Sequence, residues 1–178
     1  MKASLTKPFP KLELPQSFQI FPFYEKQQVI DGMLSEKAVY QIPFLYDLLY
    51  INRPNQLEKW PWQEACNFFH AYWKERSETL RVLFRQRDQA LVRKPMVRCI
   101  AAFIDQLCWS AGAPVSSLVH DDLIQQIKDA PCAPLNIEER LGYLLRQPAR
   151  YLAFIQLDEL EQEFTKKRAA NMRRLKKD

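Results

Sequence analysis

The chain has 178 residues but only three glycines, Gly32, Gly112 and Gly142. They lie too far apart for a P-loop, a dinucleotide fingerprint or a G-x-S-x-G nucleophile elbow, each of which needs clustered glycines. The formal charge of +5 conceals a segregation: residues 1–73 are neutral, 74–98 carry +5, 99–164 carry −6 and 165–178 carry +6.

Hydrophobic residues make up 47% of the chain and aromatics 12%, enough for one globular domain with a core. The longest apolar run, Cys99–Ile104, is six residues, against about 20 for a membrane-spanning helix. The first residues carry Lys2, Lys7 and Lys11 together with Pro8, Pro10 and Pro15, with no apolar signal core, so a cytoplasmic protein is expected. None of Cys66, Cys99, Cys108 and Cys132 stands in a C-x-x-C pair, and free thiols are expected.

In chain order, residues 1–24 hold four of the twelve prolines together with Phe9, Phe18, Phe21, Phe23 and Tyr24. Proline excludes a regular helix, and the aromatics need cover, so this segment is expected as an extended arm over the helices. Glu25–Leu34 reads as a first helix weakened by Gly32. Pro43 opens an almost wholly apolar helix to Ile51, which Arg53-Pro54 ends. Pro61 opens a helix whose stripe is Trp62, Ala65, Cys66, Phe69, Tyr72 and Trp73. Arg76 and Arg87 fall inside the continued stripe, so a break is expected near Ser77, a good N-cap. Pro95 opens the next helix, with Val97, Ile100, Ala101, Ile104 and Cys108 inward. Ala111-Gly112-Ala113-Pro114 closes it. Ser117–Asp129 is a shorter helix. Asn136 and Glu139 form a capping-box-like start for Ile137–Arg146, and Pro148 begins a last helix running to about residue 172. No stretch shows sustained apolar/polar alternation. The expected fold is all-α, a single compact domain of seven to eight short helices: arm 1–24, helical domain 25–164 and basic C-terminal helix or tail 165–178.

The stretch Leu135–Phe164 resembles the C-terminal part of the YpoC-like family, small helical proteins of Gram-positive bacteria. Glu138-Glu139-Arg140-Leu141, Pro148, Tyr151 and Phe154-Ile155-Gln156-Leu157 carry the resemblance, and the Trp60–Trp73 aromatic block is compatible with it. The resemblance implies a bacterial cytoplasmic helical protein and brings no catalytic residues.

Cys66 and His70 share a helix face and could supply two zinc ligands, but no other Cys or His stands at ligand spacing, and core cysteine is the expected reading. His120-Asp121-Asp122 lacks the further histidines of a metal phosphohydrolase, and its aspartates suit a helix N-terminus. No metal, cofactor or catalytic residue is therefore assigned. Asp158, Glu159, Glu161 and Glu163 are expected as a solvated face of the last helix. The series Arg76, Arg81, Arg85, Arg87, Arg93, Lys94, Arg98 is expected to pair with the acidic 99–164 segment, Asp105 with Arg98 for instance; its other use is phosphate recognition. Seven cations in the tail exceed what a helix dipole calls for; such a segment attracts nucleic-acid backbone or anionic lipid, or serves as a simple solubilising tail. The candidate anion or nucleic-acid contacts are Arg81, Arg85, Lys166, Lys167, Arg168, Arg173, Arg174, Lys176 and Lys177. Two functions follow: a non-catalytic adaptor with a protein partner, its aromatic surplus supplying anchors, or a nucleic-acid-associated protein using the Arg76–Arg98 face and the tail. An enzyme assembled around Cys66/His70 or His120/Asp122 is the third possibility.

Overall fold

Eleven successive residues, Cys99 to Trp109, are all buried. A helix apolar on every side must be surrounded, and this one, α4, is the axis of the molecule. The computed structural model describes residues 7–34, 37–64 and 67–175. Within them lie strands β1 (Lys7–Glu13) and β2 (Val29–Leu34) and helices α1 (Ala38–Gln41), α2 (Leu45–Asn52), α3 (Phe68–Arg85), α4 (Gln89–Ser110), α5 (His120–Lys128), α6 (Ile137–Arg146) and α7 (Tyr151–Arg174). The fold is mostly helical. Helices α1, α3, α5, α6 and α7 all touch α4, and one buried core joins them to the N-terminal arm. Each fully buried Leu or Phe in that core contributes about 1.5–3 kcal/mol relative to exposure.

The arm is extended and lies on the core, with Phe9, Leu12, Leu14, Phe18 and Tyr24 buried. Phe18 and Phe23 meet Phe44 edge-on, at 6.0 and 4.8 Å between ring centroids. Tyr24 Oη donates to Pro43 O at 2.7 Å. Asn52, at the end of α2, acts as a partner for β1: Glu13 N donates to its Oδ1 at 3.0 Å, and its Nδ2 donates to Glu13 O at 2.9 Å.

The expected first helix, Glu25–Leu34, does not form. Its second half is β2, antiparallel to β1 with Phe9 opposite Gly32 and Leu12 opposite Ile30, and with an irregularity between Phe9 and Leu12. Pro8 and Pro10 fit the edge of a two-stranded pair, where a missing N–H costs nothing. Gly32 is required by close approach: a Cβ there would stand 3.1 Å from Ile42 Cδ1 and 3.3 Å from the Phe9 ring.

Four helix boundaries also differ from expectation. After Pro61 there is only a 3-10 turn, Pro61–Gln63. Helix α3 begins at Phe68, with His70 N donating to the Asn67 cap at 3.4 Å. It does not break at Ser77, whose hydroxyl bonds back to Lys74 O at 3.4 Å and so caps nothing. Arg76 stays exposed over the Tyr72 ring. The chain turns instead at Arg87, in the left-handed region with φ 56°. Asp88 then caps α4 through Ala90 N and Leu91 N, leaving Pro95 inside the helix rather than at its start. Helix α7 starts at Tyr151, three residues after Pro148. Asn136 precedes α6 with φ 51° and makes no side-chain cap bond, so the capping box is not formed. Gly112, at φ +80°, follows the end of α4 as expected.

Two acids of the core face each other. Asp47 Oδ1 accepts from Trp109 Nε1 at 2.9 Å and from Val115 N at 2.6 Å. Its other oxygen and both oxygens of Asp105 find no donor among the described residues. Two carboxyls so placed need a proton between them. The donors on Asp47 favour its charged form, so Asp105 carries the proton. Burial, then the Asp47 charge, holds Asp105 well above the ordinary carboxyl range, and burial raises Asp47 as well. The folded chain thus keeps a proton that the unfolded chain has released above about pH 4, and stability falls as pH rises from there. Asp105→Asn gives Asp47 an amide donor that does not titrate. Urea unfolding between about pH 5 and about pH 8 should show the wild type losing stability relative to this variant, by up to about 1.4 kcal/mol per pH unit. Parallel curves would mean that no proton is shared.

Candidate functional site: two cationic clefts

Helices α3 and α4 run back from the Arg87 turn, and their cations occupy distinct sides. One α3 side carries Tyr72, Arg76, Thr79 and Leu83, at helical spacing, facing α1 and α4. With Lys37, Tyr40 and Arg98 they enclose a cleft of about 350 Å³. A second cleft of about 440 Å³ lies between the arm and α4, bounded by Tyr24, Gln27, Pro43, Arg93, Lys94 and Arg98. Arg98 and Gln41 border both.

The expected pairing of this series with the acidic segment does not occur among the described residues. Asp105 is sealed in the core with Asp47, away from Arg98. Glu161 takes His70 at 2.6 Å, Glu163 takes Arg140 at 2.8 Å and Lys167 at 3.1 Å, and Glu138 takes Lys128. No ion pair among the described residues involves Arg76, Arg93, Lys94 or Arg98, although Asp31 and Glu75 stand on the cleft borders. Arg76 lies 5.7 Å from the Tyr72 ring centre and Arg93 lies 5.1 Å from that of Phe21.

The groups beneath these cations stay neutral. Burial pushes the Cys99 thiol up to about 12, only partly opposed by Tyr72, Arg76 and Arg98. Burial raises the Tyr72 phenol too, and Cys99 adds to the shift. The cleft therefore offers fixed positive charge and aromatic surface, with no ionised thiol. Guanidinium forks and ammonium groups of this kind match phosphate oxygens.

The sequence-derived contact residues divide three ways. Arg81 sits over the Phe154 ring at 5.6 Å and pairs with Glu78 at 2.6 Å. It shares the α7 side of α3 with exposed Arg85, opposite Arg76. Lys166, Arg173 and Arg174 are exposed on the last turns of α7, while Lys167 donates to Ala133 O at 2.7 Å and Arg168 is half-buried. Lys176 and Lys177 lie outside the described residues. The tail is thus largely a helix. Lys37 and Tyr40 escape sequence reading, because α1 is too short to show a period. The i, i+4 pair Lys94/Arg98 and the Tyr72/Arg76/Thr79/Leu83 spacing were the available signals for the rest.

Of the metal and catalytic candidates, Cys66 lies outside the described residues. His70 is held by Glu161, which is buried and not on a solvated face. Thr165 Oγ1 also donates to Glu161, at 2.8 Å, and Trp73 Nε1 donates to Asp158 at 2.7 Å. Of the four carboxylates expected in solvent, only Glu159 is exposed. Asn67, His70 and Trp73 thus face Thr165, Glu161 and Asp158 in antiparallel register. His120 and Asp121 are exposed on α5, and Asp122 accepts from Ser117 Oγ at 2.9 Å. Among the described residues no group of three or more His, Cys, Asp or Glu is placed to hold a metal ion, and no helix is long and apolar enough to cross a membrane.

Because Glu161 is buried, Glu161→Ala leaves His70 and Thr165 without their acceptor. It should cost about 1–3 kcal/mol in urea unfolding. A change below about 0.5 kcal/mol would show that the ladder does not hold α7 to α3.

Comparison with known proteins finds the YpoC-like protein family over residues 63–177, which takes in α3 to α7. The chain is also similar to "Uncharacterized protein YpoC" of Bacillus subtilis (strain 168), 32% identical over 109 residues, covering 60% of this chain and 65% of that protein. No solved structure matches. The match spans both helices that carry the cleft cations and the whole α3–α7 ladder, and the chain belongs to the YpoC-like family.

Proposed function

We propose that the protein is a non-catalytic binder of phosphate polyanions, nucleic-acid backbone above all, through the Arg76–Arg98 face. One observation carries the reading: the acids expected to neutralise this face are engaged elsewhere, and its cations line two concave clefts with no carboxylate partner among the described residues. Unpaired cations grouped in a cleft focus positive potential where an anion can enter. The exposed cations at the end of α7 extend the attraction but lie at the Asn67 end of α3. A non-enzymatic role accords with a cleft whose cysteine is held as a neutral thiol. Buried free Cys99, Cys108 and Cys132 accord with a cytoplasmic location.

A protein-partner reading has its own support in a separate patch. Exposed Tyr50 meets buried Trp60 and half-buried Trp62 edge-on, the two indoles stacked at 5.2 Å, and Ile51 beside it in sequence is also exposed. Such aromatics are the usual interface anchors.

Fluorescence anisotropy with labelled nucleic acid at about 50 and about 200 mM salt tests the first reading. Neutralising about four phosphates should weaken binding about 100-fold over that range. Arg76→Gln with Arg98→Gln should remove most of the binding, whereas Lys166→Gln with Arg173→Gln should lower it only a few-fold. No binding at the lower salt, or binding indifferent to salt, would overturn the reading and leave the aromatic patch as the next target.

A further inference from the structure

The clefts combine two kinds of group in a fixed order. Each end carries an arginine over an aromatic ring, Arg93 over Phe21 and Arg76 over Tyr72. Lys94 in the first cleft and Arg98 on the border of both supply charge without a ring. Phe21 is 41% exposed, with Arg93 over one side of its ring, and it adjoins Pro22 and Phe23, which line the first cleft. In the second, Tyr40 lies flat on Tyr72, with ring centres 4.0 Å apart and planes within 10°. Tyr40 is only half-buried and has Phe68 as a second ring neighbour, with ring centres 5.9 Å apart.

This order matches one polyanion better than others. A duplex keeps its bases stacked inside and presents phosphates on a convex cylinder, so it reaches the rim of a concave cleft and leaves the aromatic faces unused. A single strand has bases free to leave their own stack and lie on rings or guanidinium planes, while its phosphates meet the cations between them. Cavities of about 350 and 440 Å³ have the size of small-molecule sites and admit a base, not a base pair inside a helix. Resting on the polyanion reading, we infer that the ligand is a single-stranded nucleic acid, its bases taken up beside Phe21 and Tyr40 and its backbone held between them by Lys94 and Arg98. Two features make the site selective by shape. Three of its cations, Arg93, Lys94 and Arg98, sit on α4, the most deeply held helix, and the Tyr40–Tyr72 stack forms part of its lining, with Asp31 and Glu75 the carboxylates that border the clefts.

The test is anisotropy of labelled twelve-nucleotide single strands, one of deoxythymidine and one of uridine, against a twelve-base-pair duplex, with the full chain at about 50 mM salt. Single strands should bind at least tenfold tighter than the duplex. Phe21→Ala should weaken single-strand binding at least fivefold, the lower end of what one base stack contributes, and leave duplex binding unchanged. Phe21 is exposed, so this variant should keep the wild-type melting temperature. Lys94→Gln, also exposed, gives a second reading that does not depend on the arm. Arg85→Gln, on the far side of α3, should do nothing. A preference for the uridine or the deoxythymidine strand reports on the 2′-hydroxyl and the thymine methyl together, and either preference supports the inference. Equal or tighter duplex binding, or single-strand binding untouched by both Phe21→Ala and Lys94→Gln, overturns it while the polyanion reading stands. No binding of any probe overturns both.

Discussion

Everything in this fold is arranged around the burial of α4. A helix buried on one side can leave its polar residues in water, but one buried from Cys99 to Trp109 cannot, and Asp105 and Gln106 fall within that stretch. Each must find its partner inside. Gln106 Oε1 accepts from Phe69 N at 3.3 Å, which satisfies one of the free N–H groups at the start of α3. Asp105 faces Asp47, and Asp47 in turn holds Trp109 and the backbone of Val115. Leaving one such buried group unpaired costs about 1–3 kcal/mol. The two polar residues of the axis thus set where α2 and α3 dock, a specificity that the apolar surface alone would not supply.

The same arrangement explains why the segregated charges do not cancel where expected. Antiparallel packing of α3 on α7 brings Asn67, His70 and Trp73 opposite Thr165, Glu161 and Asp158. Carboxylates of α7 are spent on hydrogen bonds to a histidine, an indole and a hydroxyl, and Glu163 is taken by Arg140, Lys167 and the backbone of Leu135. What remains without an ion pair among the described residues is the cationic side of α3 and α4 formed by Arg76, Arg93, Lys94 and Arg98. Charge balance along the sequence is therefore a poor guide to charge balance in space, since a carboxylate is satisfied by any donor within reach.

Legibility followed the range of the interaction involved. The arm was readable because proline and aromatic content act locally, and the end of α4 was readable because Gly112 takes a left-handed turn. The apolar faces of α5 and α6 follow from a clean period. The strand β2 was not readable: Val29 and Ile30 pair with a segment some twenty residues earlier, and the short run before Gly32 has too few residues to show alternation. Ser77 misled because the side chain that makes a good cap also bonds back within a helix. Pro95 misled because a proline in the second turn displaces only one bond, and Asp88 caps the helix ahead of it. At the cleft, the cation series was visible as charge, but its division between two sides of α3 depends on the continuity of that helix through Ser77. Once α3 is unbroken, Arg76 and Arg81 point apart, and the site consists of Arg76, Arg93, Lys94 and Arg98 rather than Arg81 and Arg85.

The two clefts also differ in what builds them. Arg76, Arg93, Lys94 and Arg98 stand on the long helices that fall within the family match at residues 63–177. The facing walls come from the arm and α1, which precede it: Tyr24 and Pro43 on one side, Lys37 and Tyr40 on the other. Charge is thus placed by the rigid axis and shape by a covering segment. That segment is held by edge-on rings and by the hydrogen bonds of the Asn52 side chain to the Glu13 backbone, with no ion pair among the described residues to the cations it covers. Its attachment should be insensitive to salt, while an anion held by those cations is not. Apart from Arg93 over Phe21, cover and charge rely on different forces, so a ligand can neutralise the clefts with little loosening of the arm that shapes them.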